Sequence, residues 1–441
     1  MVLPITAGIN KDNHLEIGGC DVVDLAKVFG TPLFVMDEVT IRTQCKKYFS
    51  SFQKLNKDTE VIYASKAFIS LAMCQIIQEE GLSLDVSSGG ELYLAKKAGF
   101  PPKKIFMHGN NKTPKELDLA LEMGIGCIVV DSENELERLD KMAAEKGINP
   151  GIMLRITPGV KPSTHNHIQT GQVDSKFGFG LADGVALKAI KKALEFKNVY
   201  LRGLHVHIGS QIFALHSYTK AIEIIMNFAK QILDETGFSI SEINVGGGLG
   251  IKYEAKDEPS TIEEYAKVIV KGIQKEAEKY GMVCPKILVE PGRSIVGNSG
   301  VTLYTIGTIK EIPGIRTYIS VDGGMSDNLR PMLYGAKYEA LIANKANLKP
   351  KAKVTVAGKH CESGDVLIKE IKLSPVEVGD ILCTPATGAY GYMMANNYNM
   401  QPRPAVILVK EGRAGEIIRR ETYEDVVRLE RPLRWQIEYG V

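Results

Sequence analysis

Residues 59–68 read TEVIYASKAF. Val61 to Ala64 form an apolar run too short for a buried helix and rich in β-branched and aromatic side chains, so the stretch is a buried strand. Ser65-Lys66 ends it, and AFISLAMCQII then starts a helix. A lysine at that point has two readings. Its stem lies along the apolar surface and its amine reaches water, or the interior needs an amine. The choice depends on what the rest of the chain brings to the same place.

The same texture recurs seven times: LSLDVSS (82–88), KKIFMHG (103–109), IGCIVVD (125–131), GIMLRITP (151–158), LRGLHVHIG (201–209), EINVGGG (242–248) and KILVEPG (286–292). Helical patterns separate these runs. The segment 37–55 already has Ile41, Cys45, Tyr48, Phe49 and Phe52 at helical spacing. Thr113-Pro114 marks a helix start with a first-turn proline, and Ser132 with Glu135 predicts a capping box. Strands that are apolar throughout are buried on both faces and pair in parallel. Eight such βα units predict a (β/α)8 TIM barrel over 36–295. A doubly wound open sheet competes, but eight consecutive units favour closure. After residue 295 the chain turns to short strands such as GVTLYTIGTIKEI, KAKVTVAG and PAVILVKEG with Gly, Pro and Asp turns, an antiparallel β domain of barrel or sandwich type. The strand-like residues 1–35 are expected to pack on it, so 1–35 and 296–441 form the second domain.

Composition narrows the function classes. Hydrophobic residues are 44% and charged residues 24%, ordinary for a soluble enzyme. A net charge of +2 gives no footprint for nucleic acid. No run of eighteen apolar residues suggests a membrane span, and the first residues lack the basic start and apolar core of a signal peptide. The seven cysteines are scattered and form no CxxC, which fits a reducing cytoplasm and predicts no metal site.

In a TIM barrel the active site lies at the C-terminal ends of the strands. There the sequence places Lys66, Asp85 with Glu91, His108 with Asn110, Asp131, Arg155, His207 with Ser210, Gly246-Gly247-Gly248, and Glu290-Pro291-Gly292-Arg293. A polar residue at one strand end is usually structural; eight converging on one mouth call for a ligand. Three glycines let the backbone approach a phosphate, although alone they suit a tight turn equally well. An amine on the first strand facing a phosphate loop on the seventh points to pyridoxal phosphate, with Glu290 serving the ring nitrogen. His207 could stack on the ring; alone it would read as a core histidine.

Six motifs in order, YASKA, HVHIGS, GGGLG, EPGR, CESGD and GAYGY, resemble the fold-type III pyridoxal-phosphate decarboxylases with alanine-racemase-like barrels. The resemblance spans about residues 10 to 425. STHNHIQTGQVDSKFG (163–178) and NLRPMLY (328–334) are similar to the branch that acts on diaminopimelate rather than to the ornithine branch, and the tail RWQIEYGV (434–441) matches no motif. The resemblance implies that Lys66 carries the cofactor, that His207 stacks on its ring, and that Glu290 bonds its nitrogen. Ser210, Gly246, Gly247, Gly248, Gly292 and Arg293 would surround the phosphate, and Tyr390 would touch both cofactor and substrate. It also implies that Cys361 donates a proton after carbon dioxide leaves and that Arg293, Arg330, Tyr334 and Glu362 hold the substrate. A homodimer is implied, with Cys361 reaching the other subunit's cofactor.

The expected reaction is decarboxylation of meso-2,6-diaminopimelate to L-lysine. Its far end carries an amine and a carboxylate, which call for an acid and a guanidinium fork. Glu362 and Arg330 suit by type, though Arg330 alone would read as a surface ion pair and Cys361 as an inert thiol. The alternatives are a decarboxylase of ornithine, arginine or carboxynorspermidine, or a racemase or cofactor carrier on the same barrel. A racemase would place a weaker partner than Glu290 at the ring nitrogen.

Overall fold

The computed structural model describes residues 2–159 and 175–433. The motif segment 163–178 therefore lies mostly, and the tail 434–441 wholly, outside the described residues. Eight strands form the first body: β1 Thr59–Ala64, β2 Ser83–Val86, β3 Ile105–Met107, β4 Cys127–Val130, β5 Gly151–Thr157, β6 Tyr200–His205, β7 Glu242–Asn244 and β8 Lys286–Val289. Each pairs in parallel with the next, and β8 pairs with β1 through Val289 and Val61, so the sheet closes. The open-sheet alternative is thereby excluded.

Closure explains why the strands read as unbroken apolar runs. Inside the barrel Ile62, Phe106, Cys127, Val129, Met153 and Leu288 pack on one another. Outward-facing residues of the same strands, such as Val61, Tyr63 and Leu84, join a larger core under the helices. Helix Glu38–Leu55 turns Ile41, Cys45, Tyr48 and Phe52 inward, while Phe49 is exposed. Its Tyr48 meets Tyr265 of helix Ile262–Lys279 edge-on at 6.5 Å, and Tyr265 meets Tyr218 at 4.9 Å. Such pairs add about 0.5–1.5 kcal/mol each beyond the area they bury, and here they hold the helices that flank the barrel seam.

Helix starts follow local chemistry. Thr113 and Glu116 cap each other reciprocally, with Pro114 in the first turn. Ser132 accepts from Glu135 N, but no capping box forms there. The Glu135 carboxylate instead accepts from buried Lys112 at 2.6 Å and from Asp131 N. A buried ammonium needs a partner more than a helix N-terminus needs a second cap.

The second body is a largely antiparallel sheet. Gly300–Ile312, its longest strand, pairs antiparallel with Leu33–Asp37, Ile381–Pro385 and Arg316–Val321. Leu33–Asp37 with Ala405–Lys410, and Arg316–Val321 with Ala352–Ala357, are parallel. The first 35 residues form a small three-stranded sheet and, as a departure from the strand reading, the helix Val22–Phe29. Asp21 caps it, and Val22, Val23, Leu25 and Ala26 pack on Leu33, Val35, Leu303 and Ile407. The cap and the packing of one helical face decide against the strand reading here.

Candidate active site

The C-terminal ends of the barrel strands face a cavity of about 650 Å³, lined among others by Lys66, His207, Ser210, Tyr253, Arg293, Arg330, Tyr334 and Tyr390. A narrow recess beneath it is bounded by Lys66, His207, Gly247, Gly248, Glu290, Gly292 and Arg293. β1 stops at Ala64 because Ser65–Ala67 turns into a single helical turn. Ser65 Oγ donates to Glu91 at 2.9 Å, and Glu91 also accepts from Ser87 N, which anchors that turn. Ser65 and Ala67 are buried while Lys66 is open to the cavity. Protein surrounds the amine even so. Burial lowers its pKa, but Tyr390, Asp85 and Glu290 outweigh it and hold the ammonium above the usual lysine value.

Both Glu290 oxygens are engaged. Asn244 Nδ2 donates to Oε1 at 2.7 Å, His108 Nε2 lies 2.8 Å from Oε1, and His205 Nε2 lies 3.1 Å from Oε2. Burial would raise the carboxyl pKa, yet the two histidines hold it well below the ordinary range. For His108 burial lowers the pKa, but Glu290 and Asp85 raise it above the usual value. Burial drives His205 down to about 4. The cluster thus sets a carboxylate held ionised beside one imidazole whose protonation it favours and a second whose protonation burial disfavours. By donor type His108, His205 and Glu290 could ligate a metal ion; their mutual pairing accounts for their placement. Asp85 is raised by burial to about 6, and Arg155 lies over the Phe177 ring at 4.3 Å.

The glycine turn leaves no room for side chains. A Cβ on Gly247 would lie 2.1 Å from Glu290 O, and one on Gly248 2.3 Å from Gly209 O. Gly248 has φ +107, a conformation other residues rarely adopt. Gly247 N donates to His207 Nδ1 at 3.3 Å. Gly246 does not line the recess. Arg293 donates through Nη2 to Ser210 Oγ at 2.9 Å, and its buried Nε has no partner among the described residues. Tyr390 is held at φ 58 with its N–H on Ala67 O, which sets its ring 4.7 Å from the Arg293 guanidinium. These residues fit pyridoxal phosphate: an amine, an unsatisfied guanidinium donor beside a glycine turn, and a carboxylate kept ionised for a pyridinium nitrogen.

Arg330 is buried rather than in a surface ion pair. It opens the short helix Arg330–Tyr334 and donates to the Tyr338 hydroxyl. Of the residues expected to hold cofactor or substrate, the chain brings all but Gly246, Cys361 and Glu362 to the cavity or recess, whereas the strand-end residues Asp85, Glu91, His108, Asn110, Asp131 and Arg155 line neither. Cys361 is exposed, Glu362 half-buried, and neither lines the cavity of its own chain. Sequence reasoning missed His205 and Tyr253. His205 was legible in HVH, since residues two apart on a strand share a face with His207. Tyr253, five residues past the glycines, carried no pattern.

Residues 39–297 match the family described as "Pyridoxal-dependent decarboxylase, pyridoxal binding domain". The chain is 50% identical over 434 residues to the diaminopimelate decarboxylase of Bacillus subtilis, covering 98% of this chain and 99% of that one. It is 46% identical to that of Synechocystis, covering 97% and 92%. Among solved structures, diaminopimelate decarboxylase from M. jannaschii in complex with L-lysine superposes with a TM-score of 0.90 at 38% identity, covering 97% of this chain and 98% of that one. The Helicobacter pylori enzyme complexed with L-lysine gives 0.85 at 31%, covering 92% and 98%. With the recess, the glycine turn and the second buried arginine in place, these likenesses show that the chain belongs to the diaminopimelate decarboxylase family of pyridoxal-dependent decarboxylases.

Proposed function

We propose that this chain is a carboxy-lyase that uses pyridoxal phosphate to convert meso-2,6-diaminopimelate to L-lysine and carbon dioxide. The observation that carries it is a pair of buried arginines, Arg293 and Arg330, in one cavity above Lys66. One suits the cofactor's phosphate and the other a carboxylate at the substrate's far end. Lys66 would hold the cofactor's aldehyde carbon, and Ser210, Gly247, Gly248, Gly292 and Arg293 its phosphate. His207 would cover one face of the ring, Glu290 would accept from its nitrogen, and Tyr390 would border both cofactor and substrate. When bound, the cofactor supplies an electron sink for the pair left at Cα as carbon dioxide departs. The chain's residues do the rest. Glu290, held ionised by its histidines, would keep a proton on the ring nitrogen. Arg330 and Tyr334 grip the far carboxylate, and Glu362 the far amine. Cys361 gives its thiol proton to Cα.

Exposure of Cys361 outside its own cavity supports supply of Cys361 and Glu362 by a second copy of the chain, that is, a homodimer with shared sites. Residues 36–295 would carry the cofactor, and 1–35 with 296–441 the β portion. No helix among the described residues is long and apolar enough to cross a membrane, and the free cysteines suit the cytoplasm. The deciding assay is carbon dioxide release from diaminopimelate stereoisomers, lysine, ornithine and arginine. Release confined to the meso isomer is expected; equal or faster release from ornithine would refute the assignment.

A further inference from the structure

Arg293 and Arg330 are buried in one cavity wall, and among the described residues neither has a carboxylate within 4 Å. Two desolvated cations side by side repel and need compensation. Tyr253 lies between them. Arg293 Nη1 donates to its hydroxyl. The Arg330 guanidinium sits 4.8 Å from the Tyr253 ring centroid and that of Arg293 5.7 Å. Tyr338 meets the same ring edge-on at 5.4 Å and accepts from Arg330 through its own hydroxyl. Tyr253 is itself buried and lines the cavity.

We propose that Tyr253 is a positioning residue that binds the two guanidiniums into one unit, coupling the phosphate grip of Arg293 to recognition of the substrate's far carboxylate by Arg330. The proposal rests on the function inferred above. Its physical content is that one side chain serves both cations, the hydroxyl accepting from Arg293 while the π-face meets Arg330. Burial raises the phenol's pKa, but the charges of Arg293 and Arg330 outweigh it and leave it below the ordinary tyrosine value, as expected for an acceptor wedged between guanidiniums. A ligand anion at either arginine then meets a donor set already aligned. Without the hydroxyl both cations turn toward whatever acceptor is nearest.

The test compares L-lysine with cadaverine as competitive inhibitors of the holoenzyme. Both carry the amines, and only lysine carries the carboxylate. The second readout is the dissociation constant of the cofactor-free protein for pyridoxal phosphate, from its absorbance. Tyr253→Phe keeps the ring and should cut the preference for lysine about tenfold, the size of a lost hydrogen bond to a charged group. It should also weaken pyridoxal phosphate several-fold. Tyr338→Phe should reduce the lysine preference and leave the cofactor constant within a factor of about two, because the Tyr338 hydroxyl accepts from Arg330 and not from Arg293. In an Arg330→Ala background, Tyr253→Phe should cost no further lysine preference. Equal weakening of lysine and cadaverine, an unchanged cofactor constant, or additive losses in that background would each overturn the coupling. A wild-type enzyme with no preference for lysine overturns the substrate reading and the coupling with it. A wild-type preference that survives Tyr253→Phe removes the coupling alone.

Discussion

Arg330 donates to one tyrosine and stacks on another, and it meets no carboxylate among the described residues. Tyrosines are its partners in the wall, which leaves the guanidinium's charge for an anion in the cavity to complement. Arg330→Ala should therefore lower kcat/KM for diaminopimelate by about a hundredfold while leaving cofactor absorbance in place; a change within a factor of about two would remove Arg330 from the substrate site. Asp327 illustrates the same electrostatics outside the cavity. Burial lifts its carboxyl to about 7, even though Gly324 N donates to it at 2.8 Å. An unfolded aspartic acid releases its proton near 3.9, so between about pH 4 and 7 the native state holds more protons than the unfolded one. Stability therefore falls as pH rises through that window, by up to about 4 kcal/mol. Asp327→Asn stays neutral throughout. Its melting temperature relative to wild type should rise from pH 5 to pH 8, and a difference constant with pH would show that Asp327 is already ionised.

At the scale of elements, the turn after β7 has two duties in three residues. It must pass close to β8, since a Cβ at Gly247 would sit 2.1 Å from Glu290 O and 3.0 Å from Glu290 C. It must also present backbone to the recess. Backbone cannot give way as a flexible side chain can, so Gly247→Ala should displace the turn, destabilise the fold by about 1–3 kcal/mol, and weaken pyridoxal phosphate at least tenfold. Gly415 lies in Arg413–Ile418 with open space around its would-be Cβ, so Gly415→Ala should change neither melting temperature nor cofactor affinity. A cofactor constant in Gly247→Ala equal to wild type would show that the turn is shaped for packing alone.

For the whole molecule the question is where Cys361 works. Asp365 accepts from Met325 N at 2.7 Å and from His360 N at 2.9 Å, tying the Cys361 loop to the segment that carries Arg330. The loop is thus held in place yet faces outward. In a two-fold assembly the same patch recurs on both copies and creates two equivalent shared sites. Lys66→Ala and Cys361→Ala should each be nearly inactive. After subunit exchange, half of the dimers are mixed and one of their two sites regains both groups, so roughly a quarter of wild-type activity should return. Activity that stays at the single-mutant level, with exchange verified by mass, would place both groups in one chain.

The local sequence determined what depends on local patterns. Apolar runs such as Val61 to Ala64, reciprocal caps such as Thr113 with Glu116, and glycines at a strand end follow from backbone sterics and burial within a few residues, and they suffice for the barrel and for placing Lys66, Glu290 and the glycine turn at its strand ends. Resemblance to a family extended this to Arg330 and Cys361. The tertiary structure alone decided three things. It sent Glu135 to Lys112 instead of its helix cap. It set His108 and His205 on the two oxygens of Glu290, which holds that carboxyl well below its ordinary range. It wedged Tyr253 between Arg293 and Arg330. In each case a partner distant in the chain is brought into contact by folding. The low dielectric of the interior strengthens that contact until it outweighs the chain neighbours in setting the side chain's position and charge.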